Sequence, residues 1–148
     1  MTDPQDEQMM RQALREAEQA FKQDEVPIGA IVAWKGQVIA RAHNLTERLN
    51  DVTAHAEMQV ITAAAERIGG KYLKDCTVYV TVEPCPMCAG ALAWAQAGRI
   101  VFGAFDEKSG YRRIGGKLLH PKTQVTGGVL EPECADLMRA FFRKKRTL

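Results

Sequence analysis

The stretch CTVYVTVEPCPMCAGALAWAQA, residues 76–97, joins two elements of different character without a linker. Its first seven residues are dense in β-branched side chains, which is typical of a buried strand. From Pro86 onward the stretch is rich in alanine, and proline is favoured at the first position of a helix. The stretch therefore predicts a strand that runs directly into a helix, with Cys85 and Cys88 at the junction.

Three kinds of site could use the C-x-x-C pair at this junction: a redox pair, a structural zinc site or a catalytic metal site. The first-turn N–H groups and the positive end of the helix dipole favour thiolates at Cys85 and Cys88, and the thiolate is the form that binds metal. A thioredoxin-like pair would use the same geometry. The motif by itself leaves the three alternatives open.

The rest of the chain alternates helical and strand patterns, with Lys35-Gly36 dividing two apolar runs into a hairpin. Helices that separate strands favour a three-layer α/β/α sandwich around a mixed, roughly five-stranded sheet whose first pair is antiparallel. The predicted helices span residues 6–24, 54–68, 86–97 and 132–145, the predicted strands span 27–34, 37–42, 76–82, 99–105 and 124–130, and loops span 43–53 and 106–122.

Composition favours one globular domain over residues 1–148, since 46% of the chain is hydrophobic and 26% is charged. The N-terminus lacks the pattern of a signal peptide and no apolar run reaches about 20 residues, so we expect a cytoplasmic protein without a membrane partner. In a reducing compartment, four cysteines favour metal binding or catalysis over disulfides. Bases gather near the C-terminus and could hold phosphates, or could simply stabilise a helix end: Arg139, Arg143, Lys144, Lys145 and Arg146.

A second motif, HAE at residues 55–57, opens the predicted helix 54–68. His55, Cys85 and Cys88 around one ion make a zinc site whose fourth tetrahedral position stays open, which is typical of a catalytic zinc. Glu57 cannot easily ligate the same ion as His55 from a regular helix, so it is the candidate for proton transfer. H-x-E together with P-C-x-x-C is the established signature of zinc nucleobase deaminases. The rival is a structural four-cysteine site that recruits Cys76 and Cys134.

The segments VPIGAIV, TAHAEM, YVTVEPCPMCAGAL, RIVFGA and GGVLEPECADLMRAFFRKKR resemble the bacterial tRNA-specific adenosine deaminases of the cytidine deaminase-like superfamily. The resemblance implies a homodimer with one zinc ion per subunit, which converts the wobble adenosine of a tRNA anticodon arm to inosine and releases ammonia. It implies zinc ligation by His55, Cys85 and Cys88, and proton transfer by Glu57. It also implies contacts to the flipped nucleoside or the neighbouring RNA by Asn44, the backbone of Ala54, Asp106, Phe142 and Arg143.

The sequence departs from that family after DEKSG, where the family usually continues with small residues and a serine. This chain reads YRRIGG there and is shorter before LLHPKTQV. Tyr111, Arg112 and Arg113 could stack on RNA, or they could cap a pocket for a small molecule. Two alternatives therefore remain: a deaminase of a free guanine- or cytosine-type base or nucleoside, and a non-enzymatic RNA-binding or zinc-stabilised module.

Overall fold

A computed structural model describes residues 2–146 of the chain. Four α-helices and five β-strands alternate along it, and a short 3₁₀ turn at Tyr111–Arg113 interrupts the long loop before the last strand. The helices are α1 (Pro4–Lys22), α2 (Ala56–Ile68), α3 (Pro86–Ala95) and α4 (Glu131–Arg146), and the strands are β1 (Gly29–Trp34), β2 (Gln37–His43), β3 (Cys76–Val82), β4 (Arg99–Ala104) and β5 (Gln124–Thr126).

The five strands form one mixed sheet in the order β2-β1-β3-β4-β5. The hairpin β1–β2 is antiparallel, and β1 also pairs antiparallel with β3. The pairs β3–β4 and β4–β5 are parallel. Lys35 and Gly36 form the two-residue hairpin turn with φ values of 52° and 77°, the left-handed combination that matches the twist of antiparallel strands.

The helices cover both faces of this sheet, as the predicted three-layer sandwich requires. On one face, Val60 of α2 and Leu92 of α3 pack in a core with Ala30 and Val32 of β1. On the other face, Met10 of α1 and Cys134 of α4 pack with Ile31. Alternate residues of β1 thus enter opposite cores, and the prediction of an α/β/α fold with a mixed five-stranded sheet is confirmed.

The predicted strand over residues 124–130 is too long, since β5 ends at Thr126. Gly127 lies against the ring of Phe102, where an added Cβ would be 2.6 Å from a ring carbon. The N–H of Gly128 turns back to the carbonyls of Phe102 and Gly103 at 3.0 and 3.1 Å and so leaves the ladder. Separately, none of the helices in residues 2–146 is long and apolar enough to cross a membrane.

Candidate active site

Two helix N-termini meet at the carboxyl ends of the parallel strands and carry the motif residues. His55 is the N-cap of α2, and Glu57 lies in the first turn of that helix. Cys85 is the N-cap of α3, with Pro86 as the first helical residue and Cys88 two residues further on. Both helices therefore direct the positive ends of their dipoles toward the same place, which favours anionic ligands there.

The structure brings the side chains of His55, Cys85 and Cys88 together although 30 residues of sequence separate the two motifs. The Nδ1 atom of His55 is 3.6 Å from Sγ of Cys85 and 3.4 Å from Sγ of Cys88. Zn–N bonds of about 2.1 Å and Zn–S bonds of about 2.3 Å at a tetrahedral angle place such donors about 3.6 Å apart. The donor set therefore fits a zinc ion without rearrangement.

The electrostatics of this cluster favour metal-binding protonation states. Hydrogen bonding from Cys88 and from His55 lowers the pKa of the Cys85 thiol to about 4, so Cys85 is a thiolate. The proton shared with Cys85 and the burial of the side chain raise the pKa of Cys88. The hydrogen bond to Cys85 raises the pKa of His55. The surroundings of Cys85 thus favour its thiolate, the form that binds metal.

Glu57 is buried, with 3% of its surface exposed, and its Oε1 atom has no hydrogen-bond partner among residues 2–146. Burial is the main cause that raises the pKa of this carboxyl to about 7. A buried carboxylate oxygen without a hydrogen-bond partner destabilises the folded protein. Such groups are therefore concentrated at functional sites, where the oxygen can exchange a proton or contact a ligand. A buried acid beside a metal-binding cluster can accept a proton from water and return it to a substrate.

Asn44 and Ala54 border this cluster, and the structure shows how each is fixed. Asn44 follows β2, is 6% exposed, and accepts a hydrogen bond from the N–H of Thr46 at 3.2 Å. The carbonyl of Ala54 accepts from the N–H of Leu45 at 3.0 Å and from Nε2 of Gln59 at 3.2 Å. The backbone of Ala54 is therefore already engaged, and a bond to a substrate would have to share its carbonyl.

Asp106 follows β4 at the same edge of the sheet as Cys85. Its Oδ1 atom accepts from the N–H groups of Lys108 and Ser109 at 3.1 and 2.9 Å, which shapes the loop that begins there. This local role is the one that sequence patterns assign to aspartate in turns.

Phe142 and Arg143 are not part of the cluster, because α4 packs on the opposite face of the sheet from α2 and α3. Phe142 is 41% exposed and Arg143 is exposed in the last turn of the helix. The nearby end of α4 borders a cleft of about 670 Å³ that is also lined by Glu25, Glu47 and Arg48. The α4 residues that line this cleft are Phe141 and Lys145, so Phe142 and Arg143 are their neighbours along the helix, away from the metal-binding side chains.

The four-cysteine alternative does not form in the described chain. Cys76 belongs to the core under α2 and α3, whereas Cys134 belongs to the core under α1 and α4. The sheet therefore separates them. Within residues 2–146, the cluster of potential metal ligands that contains cysteine is His55, Cys85 and Cys88, whose donor atoms all lie within 4.8 Å of one another.

Sequence analysis missed three polar residues that hold the site in shape. Buried Glu25 accepts from the N–H groups of Glu47 and Arg48 at 3.0 and 2.7 Å and fixes the loop after Asn44. Nε2 of Gln59 donates to the carbonyls of His43 and Ala54. Glu83, also buried, accepts from the loop after β4. An acid inside an apolar run is the signal that could have identified Glu83.

Known proteins match the chain over most of its length. The family model of the MafB19-like deaminases matches residues 4–146. The tRNA-specific adenosine deaminase of Bacillus subtilis (strain 168) is 46% identical over 147 residues, which cover 96% of this chain and 91% of that protein. A structure from studies of A-to-I editing by tRNA:A34 deaminases at the wobble position of transfer RNA has a TM-score of 0.82 at 44% identity, and the match covers 88% of this chain and 98% of that one.

A guanine deaminase from Bacillus subtilis is also similar, at 35% identity and a TM-score of 0.64, but the match covers 67% of this chain and 64% of that one. Compared with that guanine deaminase, the tRNA-specific enzymes match a larger share of both chains and have a higher sequence identity. The chain belongs to the MafB19-like deaminase family, and its resemblance over nearly the whole length places it among the tRNA-specific adenosine deaminases.

Proposed function

We propose that this protein is a zinc-dependent hydrolase that converts the wobble adenosine of a tRNA anticodon to inosine and releases ammonia. The observation that carries this proposal is the cluster of His55, Cys85 and Cys88 beside the buried carboxylate of Glu57, whose Oε1 atom has no hydrogen-bond partner among residues 2–146. The name of the relative from Bacillus subtilis, which matches 96% of the chain, supports the choice of substrate.

His55, Cys85 and Cys88 are the residues that would hold one zinc ion per subunit. When bound, zinc supplies a Lewis acid that makes water nucleophilic near neutral pH. The two helix N-termini would stabilise thiolate ligands, and three protein donors would leave the ion able to act on a water molecule.

Glu57 is the proton carrier in this proposal. It takes a proton from the attacking water and gives it to the adenine ring nitrogen, and it then takes the proton of the new C6 hydroxyl and gives it to the leaving amine, so that adenosine and water yield inosine and ammonia. Its burial keeps the carboxyl near the protonation midpoint, since burial raises its pKa to about 7. A group with such a pKa can both accept and donate a proton at neutral pH.

The substrate contacts are proposed from where the residues lie. We propose that the Asn44 amide and the Ala54 carbonyl contact a flipped nucleoside and that Asp106 contacts the RNA beside it; the hydrogen bonds that fix these three residues in the structure support the proposal. Phe142 and Arg143 lie further away on α4, so they would contact the anticodon arm at a distance from the reacting base. An RNA substrate of this kind favours a cytoplasmic location for the enzyme.

A homodimer is supported by an exposed apolar group on α3. Trp94 is 85% exposed and Met87, on the same helix, is 37% exposed. Exposed large apolar side chains of this kind commonly mark protein interfaces, where tryptophan is enriched. We propose that α3 takes part in pairing two copies of the chain.

The direct test uses a purified anticodon stem-loop with a wobble adenosine, and in parallel free adenosine, guanine and cytidine, with products identified by mass spectrometry. We expect inosine in the RNA and no product from the free compounds. A stem-loop with guanosine at the wobble position and the variant Glu57→Gln are the controls. Conversion of guanine or cytidine alone would contradict the RNA assignment and favour a free-base deaminase. Zinc binding without any product would favour a non-enzymatic module.

A further inference from the structure

Glu83, two residues before Cys85, accepts hydrogen bonds from the loop over residues 106–112, which leads into the segment that departs from the family pattern. The side chain of Glu83 has no exposed surface. Its Oε1 atom accepts from the N–H of Asp106 at 3.1 Å, and its Oε2 atom accepts from the N–H of Arg112 at 3.1 Å. One buried carboxylate therefore fixes both ends of the segment 106–112.

The backbone reinforces this attachment at two points. The N–H of Tyr111 donates to the carbonyl of Pro84 at 2.8 Å, directly beside Cys85. Gly110 lies so close to Glu83 that an added Cβ would be 2.3 Å from its carboxyl carbon. Only glycine fits at this approach, so the absence of a side chain at position 110 lets the loop pass directly over Glu83, next to the metal-binding cluster.

Arg112 is the side chain that this arrangement presents to solvent. Its Nη2 atom donates to Oε1 of Glu83 at 3.1 Å, and its guanidinium lies over the ring of Phe105 at 4.5 Å from the centroid. Nearly half of the side chain, 45%, remains exposed. The planar cation thus lies on an aromatic ring while nearly half of the side chain stays open to solvent, a geometry suited to stacking.

The position and charge of Arg112 point to a nucleobase as its ligand. Phe105 follows β4 and Glu83 follows β3, and these parallel strands end at the same edge of the sheet as Cys85. The contact with Glu83 already neutralises the guanidinium, which leaves little attraction for a phosphate but leaves the flat face available. The open position on the surface suits a base of single-stranded RNA better than an enclosed small molecule.

We propose that Arg112, held on Phe105 by Glu83, stacks on an unpaired RNA base adjacent to the target adenosine, and that Glu83 is its positioning residue. This inference rests on the proposed function. The neighbouring Arg113 provides a matched contrast, because its side chain forms no hydrogen bond or ion pair within residues 2–146. Its charge is available for a phosphate.

The test compares the wild type with Arg112→Met, Arg113→Met and Glu83→Gln on three stem-loops. One is intact, and the other two lack the base immediately 5′ or 3′ of the wobble adenosine. For Arg112→Met we expect KM on the intact RNA to rise about tenfold with kcat little changed, as loss of one stacked base would produce. In the wild type, removal of one of the two neighbouring bases should raise KM by the same factor as the Arg112→Met substitution does on the intact RNA. In Arg112→Met, removal of that base should raise KM no further.

Two control variants distinguish base stacking from attraction to a phosphate and from damage to the metal site. Arg113→Met should respond to each abasic RNA as the wild type does, and should reduce the dependence of KM on salt. Glu83→Gln should reproduce the KM effect of Arg112→Met while zinc content stays at one per chain. If Glu83→Gln unfolds, the response of Arg112→Met to the two RNAs that lack a base still tests the stacking proposal.

Two results would overturn the proposal in distinguishable ways. If the wild type forms inosine but base removal raises KM as much in Arg112→Met as in the wild type, Arg112 does not stack on a neighbouring base. If the wild type forms no inosine in any RNA, the proposed function fails and the RNA contact fails with it.

Discussion

His55 and Cys85 occupy positions where a helix normally gains stability. The N-cap side chain usually accepts a hydrogen bond from the first turn, and serine, threonine, aspartate and asparagine are preferred there. Neither residue makes such a bond in this structure. Their side chains are directed instead toward each other and Cys88, as expected if the cap positions serve metal binding at some cost to helix stability.

The ligand set can be tested by zinc content. We expect the wild type to hold one zinc ion per chain, as proposed above, and His55→Ala and Cys85→Ser to lose it, because each removes one of three donors. Cys134→Ala should keep it, since Cys134 lies in the core on the other face of the sheet. Elemental analysis of the purified variants is the measurement. Retention of stoichiometric zinc by Cys85→Ser would contradict the assignment.

Glu57 can be tested separately from the metal. Glu57→Gln preserves the size of the side chain but removes the group that exchanges protons, so we expect at least a hundredfold loss of kcat on the RNA substrate. Zinc content should be unchanged, and the thermal midpoint should not fall, because Oε1 has no partner within residues 2–146 to lose. Single-turnover kinetics with zinc analysis would show both. A variant that retains most of the wild-type rate would exclude Glu57 from proton transfer.

Between elements, Asp6 links α1 to the sheet. Its carboxylate accepts from Nη1 and Nη2 of Arg99 at 2.8 and 2.6 Å and from the hydroxyl of Tyr79 at 2.9 Å. Asp6 is 3% exposed. The hydrogen bonds from Arg99 hold the pKa of the Asp6 carboxyl below its usual value. One side chain therefore connects α1 to β3 and β4.

This link predicts a pH-dependent stability. Asp6→Asn should lower the free energy of unfolding by roughly 2 kcal/mol at pH 7, as loss of charged hydrogen bonds does. Because the folded-state pKa is depressed, the contribution is fully present above the unfolded value near 3.8 and is lost as the pH falls through the folded value. The difference between the two proteins should therefore shrink below about pH 4.

Urea denaturation from pH 7 down to pH 3 measures that difference. Asp136→Asn is the matched control, because Asp136 pairs with Arg139 on the exposed surface of α4. Exposed pairs contribute little, so this variant should change the stability by less than about 1 kcal/mol. An equal loss in both variants would show that the Asp6 link has no special role.

For the whole molecule, the exposed face of α3 predicts how copies associate. We expect Trp94→Glu to convert a dimer to a monomer, because a charge at the centre of an apolar contact would be buried without a partner. Sedimentation velocity measures the change. Phe142→Glu is the control on the opposite side of the sheet, since Phe142 is also exposed. A wild type that remains monomeric at all concentrations would contradict the dimer itself.

The local elements and the chemistry of the motifs could be predicted from the amino-acid sequence alone. Local patterns sufficed for β3 and α3, since β-branched density, Pro86 and the alanine-rich run all act over a few residues. They also indicated that HAE and P-C-x-x-C belong together, and the three donor atoms do lie within 4.8 Å. The mixed sheet followed from the alternation of helices and strands.

Features that depend on contacts between residues far apart in the sequence became apparent only in the folded chain. The ring of Phe102 lies against Gly127, just after the end of β5. Asp6 accepts a hydrogen bond from Arg99, 93 residues later in the sequence, and Glu83 accepts one from Arg112, 29 residues later. Phe142 and Arg143, grouped with the other substrate contacts by resemblance, lie on the far side of the sheet from the cluster. Such contacts are absent from local patterns because they arise only when the sheet brings separate segments to one edge or keeps them on opposite faces.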